Sequence, residues 1–150
     1  MSREIKFRAW IKQSWDSGSQ KWAKNKMLYN AYPYLYTKVC LPDSGIGFAN
    51  EGEFELMQYT GLKDKNGNEI YEGDIVVQDC YLWFDKGKPN YRGTVEMIYQ
   101  QWQVIAHCIN PNKQGISDGM NEPLNFEGFE DNEKSNWEVI GNIYENPELL

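Results

Sequence analysis

The chain has 150 residues, 41% of them hydrophobic and 15% aromatic, and a net charge of −7. That much apolar area offsets the entropy of ordering the chain and excludes global disorder, and the length suits a single domain. The uncharged apolar runs, such as Ile75–Val77 and Tyr81–Phe84, fall far short of the roughly 20 residues a membrane helix needs, and Met1–Ile5 lacks the apolar stretch of a signal peptide, so the expectation is a cytoplasmic protein with no membrane partner.

Residues 4–10 alternate, with Ile5, Phe7 and Ala9 on one face and Lys6, Arg8 and Trp10 on the other, which predicts a half-buried strand. The stretch 12–30 is polar and rich in Gly and Ser, and reads as a loop. Tyr32–Leu41 is aromatic and β-branched and predicts one strand, closed by a Pro42-Asp43-Ser44-Gly45 turn. Asn66-Gly67 signals a hairpin with a type I′ turn, because Asn and Gly tolerate positive φ at both central positions. Gly73-Asp74 marks a second turn, and Asp74-Ile75-Val76-Val77 opens a strand of the kind that begins small SH3-like barrels.

Gly93–Tyr99 and Trp102–Ala106 predict two consecutive strands around Gln100-Gln101. Residues 109–136 read as a long acidic loop anchored by Leu124, Phe126 and Phe129, and 136–144 as a closing strand. Asn146 and Pro147 fit the cap and first position of a helix of one turn. The expected fold is all-β with little helix: an SH3-like barrel built from 70–108 and 137–144, with additional N-terminal strands and the 66–67 hairpin. It is taken as one domain over 1–150, with possible sub-modules 1–69 and 70–150.

The run Met57-Gln58-Tyr59-Thr60-Gly61-Leu62-Lys63-Asp64-Lys65-Asn66-Gly67, continued by Ile70-Tyr71-Glu72-Gly73-Asp74-Ile75-Val76, resembles the signature of the YopX family. Arg3–Trp10 and Val139–Leu150 agree with it. The resemblance implies an all-β protein encoded by phages and prophages. It brings no reaction, cofactor or catalytic residue to carry over.

Taken by themselves, the residues offer few sites. His107 adjoins Cys108, but neighbouring strand residues point to opposite faces, which disfavours a Cys-His nucleophile. Cys40, Cys80 and Cys108 are odd in number and widely spaced, so they suit reduced thiols and lack the close pairs of a zinc site. Asp64–Glu69 has its glycine at the fourth position, where a calcium loop requires it at the sixth. Glu51, Glu53 and Glu55 would line one face of a strand and suit a solvated face better than a carboxylate pair; Gly45-Ile46-Gly47 and Gly52 lack the strand–turn–helix setting of a phosphate loop. No catalytic, metal or cofactor residue is therefore assigned, and the protein is read as a non-enzyme.

Charge is more informative. Residues 1–40 carry eight Lys/Arg against two acidic residues, while the remainder is strongly acidic. Opposite charges on two parts of a chain favour self-association, so a homo-oligomer that also binds a host or phage protein is the leading expectation. The alternative is single-stranded nucleic-acid binding through Trp15, Trp22, Lys21 and Lys24, with Trp10, Lys12 and Lys26 nearby, since rings and cations together hold single strands; the acidic whole opposes it. A third reading makes acidic residues 118–138 a mimic of DNA.

Overall fold

The computed structural model describes residues 5–16, 21–34, 38–41, 47–79, 89–108, 120–123 and 137–150. They form twelve strands and a final 3-10 turn: β1 (Phe7–Asp16), β2 (Lys21–Tyr29), β3 (Tyr32–Tyr34), β4 (Lys38–Leu41), β5 (Gly47–Asn50), β6 (Phe54–Lys63), β7 (Glu69–Tyr71), β8 (Asp74–Asp79), β9 (Pro89–Ile98), β10 (Gln101–Cys108), β11 (Met120–Pro123), β12 (Glu138–Asn142) and the turn Pro147–Leu149. The all-β expectation holds. The chain divides into two compact units, Met1–Tyr59 and Thr60–Leu150, with the boundary inside β6.

In the first unit β1 lies between β2 and β6, antiparallel to both. The predicted 12–30 loop is instead a hairpin: β1 and β2 pair continuously from Arg8↔Tyr29 to Asp16↔Lys21, apart from the Lys12 position, whose amide donates to the Glu53 carbonyl at 2.8 Å. Polar composition misled here because a two-sided strand needs no apolar alternation once its backbone groups are paired. The single strand predicted over 32–41 is likewise a pair, with β3 antiparallel to β4 and β4 to β5. The Pro42–Gly45 turn lies outside the described residues.

Ala9, Ile11, Leu28, Ala31 and Ala49 form the core of this unit, with Phe7, Phe54 and Leu56 packed against it. Ile5 does not join them and stays 68% exposed, because the ladder begins at Phe7. Glu51, Glu53 and Glu55 do not share a strand face. Glu51 sits in a turn, the Glu53 carboxylate accepts from the Asn50 amide at 2.8 Å, and Glu55 pairs with Lys12.

In the second unit one antiparallel sheet has the order β11-β10-β9-β8-β12. β7, at the start of the 70–108 stretch expected in the barrel, is paired with β6 in another sheet, whereas this five-stranded sheet brings the 74–108 strands and the C-terminal strand together as neighbours. Its inner face buries Ile70, Val76, Val95, Val104, Ala106 and Trp137, with Leu62, Tyr91, Trp102 and Val139 packed against them. Each fully buried aliphatic side chain stabilises the fold by about 1.5–3 kcal/mol. Part of the predicted acidic loop is also strand: β11 pairs with β10 from Gln103↔Pro123 to Ala106↔Met120. Leu124, Phe126 and Phe129 lie outside the described residues.

The Asn66-Gly67 hairpin forms where expected but with another turn. The Gly67 amide donates to the Asp64 carbonyl at 3.0 Å, and the Asp64 amide to the Asn68 carbonyl at 2.7 Å. Gly67 has φ +91° whereas Asn66 is not in the positive-φ region, so this is a type I turn followed by a left-handed glycine. The two-residue turn with positive φ at both centres occurs instead at Tyr99 (φ 50°) and Gln100 (φ 66°), between the paired Ile98 and Gln101. Neither residue adopts that region readily. Replacing them with Asn-Gly is expected to raise stability by about 1 kcal/mol in denaturant unfolding, with an unchanged slope.

At the C-terminal end a bulge falls between Val139 and Gly141. A side chain on Gly141 would meet the Asn146 carboxamide oxygen at 2.6 Å, so glycine makes room for it. That oxygen accepts from the Asn142 amide at 3.4 Å and makes no cap bond to the 3-10 turn, which corrects its predicted capping role. Pro147 opens the turn as expected.

Candidate functional site

Alternation along β9 and β10 sends Tyr91, Val95, Trp102, Val104 and Ala106 to the core. It leaves Arg92, Thr94, Glu96, Ile105 and His107 on the opposite face. Register makes rows of them: His107 stands beside Arg92, Ile105 beside Thr94, and Gln103 beside Glu96. Arg92, Thr94, Glu96, Ile105 and His107, together with Leu150, line an open groove of about 620 Å³. That volume falls within the roughly 300–1,000 Å³ of ordinary ligand sites.

The groove has unlike ends and an apolar middle. Arg92 donates from Nη1 to the Leu149 carbonyl, and its Nε is buried without an acceptor among the described residues. A partly buried guanidinium that, among the described residues, donates to a neutral carbonyl and to no carboxylate has electrostatic capacity left over. At the other end Glu96 is exposed and, among the described residues, accepts only from the Thr94 hydroxyl, at 3.2 Å. Ile105, opposite Thr94, lies between them, and the 65% exposed Leu150 also lines the groove.

Three of the buried polar residues, Asp64, Asp74 and Asn142, serve backbone turns. Asp64 is completely buried; its carboxylate accepts from the amides of Asn66 and Asn68 at 2.8 Å each, from Val139 at 3.2 Å and from the Asn68 carboxamide at 3.0 Å. Those contacts suit a hairpin. The Asp74 carboxylate accepts from the Tyr71 amide at 2.7 Å across the Gly73 turn. The Asn142 side chain accepts from the Tyr144 and Glu145 amides at 3.1 and 2.9 Å. Much of the motif that carries the family resemblance is thus turn architecture.

Of the nucleic-acid candidates, Trp15 and Trp22 stand directly opposite each other in the β1–β2 ladder, Lys24 opposite Gln13 and Lys21 opposite Asp16; their side chains lie outside the described residues. Lys12 is paired with Glu55. Cys40 and Cys108 fall on β4 and β10, in different units, and Cys80 lies outside the described residues, as do most of residues 118–138. His107 alone among the singled-out residues lines the groove. The rest of the groove looked like the solvated side of a strand, and only cross-strand register brings it together. No helix among the described residues is long and apolar enough to cross a membrane.

A nearly all-strand chain with antiparallel sheets and turn-forming buried carboxylates is a small β protein of two compact units. The YopX protein family model matches residues 6–150, and the chain belongs to the YopX family. It is similar to the crystal structure of protein EF1440 from Enterococcus faecalis, at 26% identity and a TM-score of 0.51, over 99% of both chains. No match was found among curated proteins.

Proposed function

We propose that this YopX-family chain is a non-enzymatic phage accessory protein that works in the host cytoplasm as an interaction module, associating with itself and with a host or phage protein. The observation that carries the reading is the β9–β10 groove, which sets an apolar middle between a cation lacking a counter-ion among the described residues and an exposed carboxylate. Surfaces of that composition gain energy by desolvation at the centre and select partners by charge at the rim. Light scattering is expected to give a mass above that of one 17.6 kDa chain. A monomer throughout the micromolar range would sink the self-associating part of the proposal. For the second partner, a tagged pull-down from host cells carrying the phage should retain the same protein with and without nuclease.

The second reading, single-stranded nucleic-acid binding by the β1–β2 hairpin, is favoured by the Trp15↔Trp22 pairing. Aromatic residues at facing ladder positions are the residue type on which bases of a single strand stack. It requires that alanine at Trp15, Trp22 and Lys24 abolish binding while the fold persists, and that binding fall steeply with salt. Nucleic acid recovered only without nuclease, together with partners lost on treatment, would put this reading first.

A further inference from the structure

We infer that the β9–β10 groove is occupied by the same groove of a second copy, turned about a two-fold axis; this rests on the self-association just proposed and names its surface. The argument starts from the order of residues along one strand. Arg92, Thr94 and Glu96 occupy alternate positions of β9 and face the groove together. Their Cα atoms run over roughly 13 Å, at about 3.3 Å per residue.

A two-fold axis through the middle of that row reverses its direction. Arg92 then meets the partner's Glu96, Glu96 meets the partner's Arg92, and Thr94 with Ile105 meets its own counterpart. The row is complementary to itself in this orientation. A parallel arrangement would set Arg92 on Arg92 and Glu96 on Glu96, and a shift of two residues would leave both charges without partners. An isologous contact requires this kind of self-matching surface, in which residue i meets j and j meets i.

Each charge also has a reason to seek the pairing. Arg92 has no acidic partner among the described residues, and Glu96 has only a hydroxyl. The half-buried Ile105 adds apolar surface between the two ion pairs, and the exposed Leu150 adds more within the same groove. Each chain carries −7 overall, so long-range repulsion opposes approach, and moderate salt should aid association by screening it before it weakens the close pairs.

The test is charge reversal in the full chain, read by sedimentation or light scattering across the micromolar range, with circular dichroism to follow the fold. Glu96→Arg places arginine against arginine and should raise the dissociation constant by about tenfold or more. Arg92→Glu should do the same. The double variant R92E/E96R restores both pairs under the two-fold and should recover wild-type association. Because Arg92 also holds the Leu149 carbonyl, R92E and the double variant both lose that bond, and circular dichroism must show the fold intact before either is read; Glu96 is exposed and E96R keeps the bond, so E96R alone keeps the test decisive. If the wild type assembles and E96R leaves assembly unchanged, the two-fold groove contact is wrong while self-association stands on another surface. A wild-type monomer at high micromolar concentration would overturn both.

Discussion

Replacing Gly93 with alanine is expected to lower stability by about 3 kcal/mol or more, among the largest effects of any single methyl in this chain. Gly93 lies in the middle of β9, opposite Val76 of β8 on one side and Ala106 of β10 on the other. A Cβ built there would sit 2.1 Å from the Ile105 carbonyl oxygen and 2.7 Å from both its carbon and Val104 Cγ1. The nearest obstacle is backbone of the neighbouring strand, which cannot withdraw without breaking the ladder. A loss of that size in a chain of 150 residues lowers the melting temperature by roughly 6–12 °C, measurable by calorimetry or circular dichroism. Gly67→Ala provides the contrast. Nothing lies within 4 Å of a Cβ at Gly67, but its φ is +91°, so only the conformational cost of about 1 kcal/mol applies. Equal losses at the two glycines would contradict the steric account.

The difference between these glycines also shows what a sequence can and cannot disclose. Gly67 follows Asn in a polar stretch between apolar runs, which is a local turn signal, and the hairpin is where that signal placed it. Its turn type was set by something less conspicuous: the Asp64 carboxylate holding the amides of Asn66 and Asn68. Asp at the first position of a turn is a legible cue, but the Asn-Gly pair overshadowed it. Gly93 carries no such signal, because its reason is the approach of another strand. Tyr99-Gln100 is the opposite case, a two-residue turn made from residues that argue against it, held because the flanking strands pair from Gln101↔Ile98 to Cys108↔Tyr91. Register decided it, and register is a long-range property.

The groove was hidden for the same reason. Arg92, Thr94 and Glu96 read along the chain as the polar side of a strand, with nothing to mark them. They become a surface only when β10 brings Ile105 and His107 alongside and Leu150 returns to the same face. The aromatic-basic N-terminal segment was conspicuous in composition, yet its reading as a loop missed the hairpin that pairs Trp15 with Trp22. Composition drew attention to one surface and topology assembled another.

Asp64→Asn is expected to cost about 2–4 kcal/mol near neutral pH, and the loss should shrink as the solution becomes acidic. Burial by itself would push the Asp64 carboxyl up; the Asn68 carboxamide and the amides of Asn68, Val139 and Asn66 outweigh it and hold the group below its ordinary 3.8. An amide at this position would keep one accepting oxygen but turn a second donor toward the Asn68 carboxamide and the Val139 amide, leaving buried donors facing one another. That separates two elements at once, because Asp64 ties the 64–68 turn to the start of β12. A carboxyl whose folded pKa is depressed contributes fully above its unfolded value, near 3.8, and the contribution disappears as pH falls through the lower folded value. Wild type should therefore lose stability steeply below about pH 4 while Asp64→Asn declines less, so that the two denaturation curves converge in acid. Glu138 is also held below its usual range, first by its hydrogen bond to Lys65 at 2.7 Å, but both side chains are more than a third exposed. Solvent screens that pair, so Glu138→Gln should leave the acid limb almost where it was. Parallel curves for wild type and Asp64→Asn from pH 7 down to pH 3 would mean that the buried carboxyl is not the group that folding holds ionised.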